Sequence, residues 1–414
     1  MKYFKRILLF LILIFSLVSF SSCAVLSRLG FDTSENKNVT NSTSDTSSTT
    51  TNPKVTSLPT SSDISNISTT NTNITTTVIN TTTTVSTTKP LDEDGLVTEL
   101  DYGYGYDLLR YENSNDLKDL YLVIKNKIDE FAKTSSDINS QVVTISGEDS
   151  TYYFFDDVDY TKYNIESNVA LAVLKNVLLD HPEYYFMDNS YITSNVTSGD
   201  VTTKKIKLSI NSDYAIGSKR VEYNSKITEF ETDCFKDFTE STTNKDKIKH
   251  IHDYIVEKAE YAFDEDNNPS TTSYAHNILG IVVEGKGVCE SYAELFTYLL
   301  KKSGIPALTV SGLGFTNEDK HGGAHAWNYV YIDSKYYGFD VTWDDTANTN
   351  HYYGMSSTEL VNISNTEDVV NNNAEANFII PLYGGHLASG SDLANGINYL
   401  YYLPEVSNLP LITL

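Results

Sequence analysis

The chain has 414 residues, 40% of them aliphatic or aromatic, so it is long enough for two domains and can bury a sizeable core. Its formal net charge is −25, and the acidity lies after residue 90, where 23 Lys and Arg residues stand against 51 Asp and Glu residues, a balance of −28. This acidity argues strongly against nucleic acid or another polyanion as a partner.

The N-terminus has the pattern of a secretory signal. Basic residues within the first six precede an apolar run from Ile7 to Phe20, which is shorter than the about 20 residues that span a membrane. Cys23 follows two serines and resembles the acylated cysteine of a bacterial lipoprotein. We therefore expect a signal peptide at 1–22 and lipidation at Cys23, which would anchor the exported protein to the outer face of the bacterial membrane. The alternative is an uncleaved signal anchor, since Phe20 is unusual at its place in the motif.

A tract rich in Ser, Thr and Asn follows, from about Asn38 to Thr88. Such a segment buries too little apolar surface to offset its chain entropy. The sequence therefore predicts that 23–90 is the lipidated cysteine followed by a disordered tether.

Ordered structure is predicted from about Leu91, with an N-terminal α+β region at 91–240. Ser114 can cap a helix whose apolar residues recur at three and four positions, and a second helix from about Glu166 ends before Pro182. Alternating apolar residues from Ile206 to Ile210 indicate a half-buried strand.

A second domain is predicted at 241–414. It starts with a helix from about Asn244, followed by a glycine-containing loop and a helix from Cys289 to Lys302. A strand from Ala307 to Val310 follows. The segments HAWNYVYI and YYGFDVTW are then predicted as a hairpin with its turn at 333–335. Helices combined with antiparallel strands give an α+β fold.

Cys289 lies in the first turn of its predicted helix. Unpaired backbone N–H groups and the helix dipole favour the thiolate there, which is the reactive form of cysteine. The alternative is a cysteine that only packs. In an exported protein Cys289 could also pair with Cys234 in a disulfide. The apolar residues around Cys234 follow helical spacing, however, so it is predicted to be a buried core residue.

His325 and Asp340 lie on the two predicted hairpin strands. With a turn at 333–335, their side chains are nearly opposite or one diagonal apart, within hydrogen-bonding reach. The chain order is then nucleophile, base and orienting carboxylate. A carboxylate fixes the imidazole tautomer, and the imidazole takes the thiol proton.

The segments GVCESYAELFTYLLKKSGIPALTVSG and HAWNYVYIDSKYYGFDVTWDD closely resemble the transglutaminase-like superfamily, which has a papain-like core. The resemblance implies that Cys289 is the nucleophile, His325 the base and Asp340 its partner. IHDYIVEKAEY and DHPEYYF also resemble segments of bacterial members of the superfamily. The specific match covers about 100 residues, from His252 to Asp345.

The resulting expectation is an exported cysteine hydrolase, a peptidase or amidase, acting on a peptide or protein at the cell envelope. Two alternatives stay open: a protein-glutamine acyl transferase, and a non-catalytic cell-wall-binding module on the same fold. No cofactor and no metal site are predicted, and the calcium dependence of animal transglutaminases is not carried over.

Three further side chains have structural interpretations. His252 is predicted to pack against the core, and Trp343 to be structural. Trp327 shares a strand face with His325, so it either covers the site or belongs to the core.

Overall fold

The computed structural model describes residues 114–145, 148–188, 192–198, 201–316, 320–333, 335–356, 375, 385–388, 391–392 and 397–398. The predicted signal peptide, Cys23 and the tether lie outside the described residues. Among the helices described, none has the length and apolar character needed to cross a membrane.

The N-terminal elements within the described residues include three α-helices and a four-stranded antiparallel sheet. In chain order they are α1 (Ser114–Ala132), β1 (Gln141–Ile145), β2 (Glu148–Asp159), α2 (Ser167–Asp180), β3 (Ile192–Ser198), β4 (Val201–Ile210) and α3 (Gly217–Phe235). The strand order is β1-β2-β4-β3. The apolar stripe predicted for α1 is buried as a whole: Leu117, Leu120, Tyr121, Ile124, Ile128 and Phe131.

The C-terminal elements surround a five-stranded antiparallel sheet of order β10-β9-β8-β7-β11. They are α4 (Asn244–Lys258), β5 (Glu260–Tyr261), α5 (Ile278–Glu284), β6 (Lys286–Gly287), α6 (Cys289–Lys302), β7 (Ala307–Phe315), β8 (Gly323–Ile332), β9 (Lys335–Phe339), α7 (Val341–Ala347), β10 (Tyr353–Met355), β11 (Gly385–Ala388), β12 (Ser391–Asp392) and β13 (Ile397–Asn398). The predicted α+β fold is confirmed.

The prediction of a glycine-containing loop before Cys289 was wrong in part, because this segment contains the short helix α5. Asn277 caps this helix by accepting a hydrogen bond from the backbone N–H of Leu279 at 2.9 Å. Gly285 ends it in the left-handed conformation, with φ of 65°. Strong caps at both ends thus stabilise a helix in a segment where the glycines alone suggested a loop.

Helix α6 packs against β7 and β8, and a buried polar contact fixes its position. Asn328 on β8 donates through Nδ2 to the backbone oxygen of Ala293 at 2.8 Å and to Thr297 Oγ1 at 2.9 Å. Thr297 also shares a hydrogen bond of 2.9 Å with Thr309 on β7. These contacts determine how the first residue of α6 lies relative to β8.

Candidate active site

Cys289 is the first residue of α6 and closely follows Gly287, the last residue of the short strand β6. A Cβ atom added at Gly287 would lie 2.4 Å from Ser291 Cβ, so only glycine allows this close approach of β6 to the helix. The N–H groups of the first turn of a helix have no intrahelical partners. Cys289 therefore lies at the helix end where a negative charge is stabilised.

The thiol is enclosed between α6 and β8. Cys289 is 2% exposed and packs with Ala293 and Ala326. Ala324 and Ala326, which flank His325 on β8, pack against it, and interaction with the Cys289 side chain is one of the causes that raise the pKa of the His325 imidazole. The structure therefore places the cysteine and the histidine predicted from the sequence close together.

His325 and Asp340 are also in direct contact. His325 Nε2 lies 2.6 Å from Asp340 Oδ2, and both side chains are buried. Asn328 pairs with Phe339 in the β8–β9 register, so Asp340 lies one diagonal from His325, as the hairpin spacing predicted. Because Nε2 binds Asp340, Nδ1 is the ring nitrogen that remains for the thiol.

The prediction that GFDVTW continues a strand was wrong. β9 ends at Phe339, and Asp340 is the N-cap of α7, where its Oδ1 accepts a hydrogen bond from the backbone N–H of Trp343 at 3.0 Å. Aspartate is a strong N-cap residue, and this local preference outweighs the strand pattern. The cap also fixes the carboxylate, so that Oδ2 points to His325.

The interactions at this site determine its protonation state. Burial by itself lowers the pKa of His325, but attraction to Asp340 and hydrogen bonds to Asp340 and Cys289 outweigh it and raise the pKa to about 10. Burial would raise the pKa of Asp340, but His325 and His386 hold it well below its usual range. At neutral pH His325 is thus protonated and Asp340 ionised. An imidazolium beside a thiol favours the thiolate.

The sequence interpretation missed His386 on β11. Its Nε2 lies 2.8 Å from Asp340 Oδ2, so two imidazoles share one carboxylate oxygen. His386 comes 46 residues after Asp340, in the segment GGHLASG, which carries no motif or periodic pattern. No signal in the sequence points to this contact, since it arises only when β11 pairs with β7.

Both tryptophans lie close to these side chains. Trp343, predicted to be structural, stacks on His325 with ring centroids 4.7 Å apart. Trp327 is 1% exposed and belongs to a buried apolar cluster, and its ring centroid lies 6.2 Å from that of His325. Trp327 is therefore a core residue that also borders the site.

Tyr261 is a further side chain near the thiol. It pairs with Gly287 in the short parallel ladder of β5 and β6, two residues before Cys289. Burial, and then the nearby acidic groups of Cys289, Glu290 and Asp340, raise the pKa of Tyr261 well above its ordinary value. The phenol is therefore protonated at neutral pH.

His325, Asp340 and His386 form the one group of described residues whose ligand atoms are close enough for a metal ion, all within 4.8 Å of one another. Both Nε2 atoms already hydrogen-bond the same carboxylate oxygen. A metal ion there would have to displace two protons from a buried site, whereas the hydrogen bonds already satisfy these atoms. The geometry therefore favours a hydrogen-bonded group.

The other predicted residues lie away from this cluster. Cys234 is fully buried, and burial raises its pKa to about 12. Both Cys234 and Cys289 are free thiols. His252 is 2% exposed and binds Asp344 at 3.1 Å, so its predicted packing role is confirmed.

Some solved structures are similar to part of this chain. One is described only as a TGase; it is 16% identical, with 36% of this chain and 43% of that chain covered, at a TM-score of 0.26. A candidate cysteine protease from Cytophaga hutchinsonii is 16% identical, with 37% and 64% covered, at a TM-score of 0.22. The periplasmic domain of TgpA from Pseudomonas aeruginosa is 15% identical, with 36% and 56% covered, at a TM-score of 0.23. The chain thus spans less than two thirds of each of these proteins.

No curated protein matches the chain significantly by sequence. Residues 235–341 match the sequence model of the transglutaminase-like superfamily. This range contains Cys289, His325 and Asp340, while His386 lies beyond it. Residues 235–341 are therefore a transglutaminase-like core.

Proposed function

We propose that this chain is an exported cysteine hydrolase that cleaves peptide or amide bonds. Cys289 acts as the nucleophile, His325 as the acid and base, and Asp340 as the carboxylate that orients His325. The observation that carries this proposal is the buried hydrogen bond of 2.6 Å between His325 and Asp340, with the thiol at the start of α6 packed against Ala326, next to His325.

Acylation is the first step of the proposed reaction. The Cys289 thiolate attacks the carbonyl carbon of the amide, and the electron pair of the C=O bond moves to oxygen. The backbone N–H of Cys289 is the first candidate donor to this oxyanion. When the intermediate collapses, the C–N bond breaks, His325 gives its Nδ1 proton to the leaving amine, and a thioester remains.

Deacylation returns the site to its starting state. Neutral His325 takes a proton from water as the water attacks the thioester. The C–S bond breaks, the carboxylic acid leaves, and thiolate and imidazolium form again. A primary amine in place of water would yield a new amide, which is the alternative acyl-transfer reaction.

We favour hydrolysis over transfer. A lipid-anchored enzyme on a long tether has the peptides and amides of the cell envelope within reach, and water is the most abundant nucleophile there. The acidic surface attracts neutral or basic substrates more readily than acidic ones, an effect that salt weakens. The third possibility, a non-catalytic binding module on the same fold, predicts no turnover.

The test is the fate of a panel of glutamine-containing peptides mixed with a labelled primary amine at millimolar concentration. The hydrolase predicts mainly deamidated or cleaved peptide, abolished in Cys289→Ala and retained in the control variant Cys234→Ala. A dominant amine adduct would identify an acyl transferase. Neither product across the panel would favour the binding module.

A further inference from the structure

His386 reaches the site from the edge strand of the five-stranded sheet. β7 lies between β8 and β11, with Gly312 opposite His325 and Gly314 opposite His386. Residues directly opposite in an antiparallel ladder point to the same face, as do positions two apart on one strand. Both histidines therefore lie on one face, above the two glycines.

The missing side chain at Gly314 leaves room for His325 and Trp343 on this face. A Cβ atom there would lie 2.9 Å from Trp343 Cζ2 and 3.1 Å from His325 Cβ. The imidazole centroids of His325 and His386 are 5.5 Å apart, and both rings reach Asp340 Oδ2. Glycine at this position thus allows His325 to lie where its ring and that of His386 reach the same carboxylate oxygen.

The hydrogen bonds indicate the protonation of His386. An ionised carboxylate only accepts, so the Nε2 atom of His386 must carry a proton. Its Nδ1 has no hydrogen-bond partner among the described residues, and the side chain is 2% exposed. A proton on Nδ1 would leave a charged donor buried and unpaired, which is costly. His386 is therefore neutral.

The charges around His386 agree with this assignment. Burial lowers the pKa of His386, and the charge of His325 lowers it further, while the hydrogen bond and attraction of Asp340 only partly compensate. Aromatic rings enclose His386, with centroids 4.9 Å away for Trp327, 4.4 Å for Trp343 and 6.1 Å for Tyr352. A hydrogen bond to a charged group is strong in such surroundings.

We propose that His386 is a positioning residue for the reaction proposed above: its neutral Nε2–H holds Asp340 ionised and oriented towards His325. This inference rests on the proposed function. His386 touches neither thiol nor substrate in this role and acts only through Asp340. Because it is neutral, it leaves the carboxylate charge available to stabilise the protonated form of His325.

The test compares two variants of the full chain. His386→Phe keeps a ring but removes the donor, while His386→Gln places an amide N–H near the position of Nε2. For the Phe variant we expect kcat to fall about 10- to 100-fold with little change in KM, the cost of losing a hydrogen bond to a charged group. The acid limb of the pH profile of kcat/KM should move to higher pH in this variant, because Asp340 takes up a proton more readily once the hydrogen bond from His386 is lost. His386→Gln should recover most of the activity and the wild-type acid limb.

Two outcomes would overturn the inference: a folded Phe variant with the wild-type rate and pH profile, or a Gln variant as impaired as the Phe variant. Urea unfolding checks that each variant is folded, and His386→Leu replaces the Phe variant if that one does not fold. A second readout needs no substrate: the pH profile of Cys289 alkylation by iodoacetamide. If no peptide is turned over but the acid limb of the alkylation profile still moves in His386→Phe, the proposed function fails, while the effect of His386 on the charge of Asp340 is supported. If the acid limb of the alkylation profile does not move in His386→Phe, the proposed role of His386 is contradicted.

Discussion

Asp340 accepts hydrogen bonds at both carboxylate oxygens, from the backbone N–H of Trp343 at Oδ1 and from His325 and His386 at Oδ2. Its charge keeps His325 protonated, and His325 has a pKa raised to about 10. A protonated His325 is needed as the acid in the proposed acylation. The alkaline limb of activity should therefore depend on the charge of Asp340.

Asp340→Asn tests this dependence. Without the carboxylate charge, the pKa of His325 should fall towards its ordinary value, so the alkaline limb of kcat/KM should move to lower pH. We expect kcat to fall about 100-fold or more because the imidazole is also misoriented, while His325→Ala should remove nearly all activity. The pH–rate profile is the measurement, and Asp333→Asn, at the exposed turn between β8 and β9, is the matched control. An unchanged alkaline limb in Asp340→Asn would contradict the assignment.

The sequence predicted the contact between His325 and Asp340 because both lie near one hairpin, where strand register determines distance. The stacking of Trp343 was missed because it depends on α7, which begins where the strand was expected to continue. The contact of His386 was missed for a different reason. Edge-strand pairing between distant segments depends on the whole sheet, and no local pattern encodes it.

At the scale of elements, the position of α6 on the sheet depends on Asn328. This side chain is fully buried and donates to Ala293 and Thr297 of α6. Because the helix begins at Cys289, any movement of α6 against β8 also moves the thiol relative to His325. Stability and thiol reactivity should therefore change together.

Asn328→Ala should lower the free energy of unfolding by about 1–3 kcal/mol, since it removes buried hydrogen bonds and leaves a small cavity. It should also slow alkylation of Cys289. Urea denaturation and thiol labelling measure the two effects. Tyr331→Phe, at an exposed position of the same strand, should change stability by less than about 0.5 kcal/mol. Wild-type stability of Asn328→Ala would refute this account of helix placement.

The sequence predicted helices correctly where a periodic apolar pattern extended over many residues, and it missed short helices. The boundaries of α6 agree with those predicted, because a clear stripe and the cap at Gly304, with φ of 88°, mark them. α5 and α7 have seven residues each, and side-chain caps at Asn277 and Asp340 begin them. Helices this short lack a periodic pattern, so their caps are the only signal in the sequence.

At the scale of the molecule, the N-terminal elements and the transglutaminase-like core share one continuous apolar cluster. Lys301, in the last turn of α6, donates to the backbone oxygen of Asp180 at 2.6 Å. Asp180 begins the DHPEYYF segment noted in the sequence. The N-terminal region therefore supports the helix that carries Cys289, a contact between segments 121 residues apart that local sequence could not reveal.

The proposed anchor is tested at Cys23. Acyl chains contribute about 0.8 kcal/mol per buried methylene, so the processed protein should partition into a detergent phase. Cys23→Ser should prevent lipidation and leave the protein in the aqueous phase. Mass spectrometry of the N-terminus measures processing directly, and Ser22→Ala is the neighbouring control. Acyl chains on the Cys23→Ser protein would refute the lipoprotein prediction.

The most direct test of the central proposal compares the reactivity of the two described thiols in the folded protein. Cys234 is fully buried, and burial raises its pKa to about 12. Cys289 is the first residue of α6 and interacts with the protonated imidazole of His325. Iodoacetamide labelling followed by peptide mass spectrometry gives a rate for each cysteine. The account predicts that Cys289 reacts much faster than Cys234 and that His325→Ala removes most of this difference. Equal, slow labelling of both thiols in the wild-type protein would contradict it.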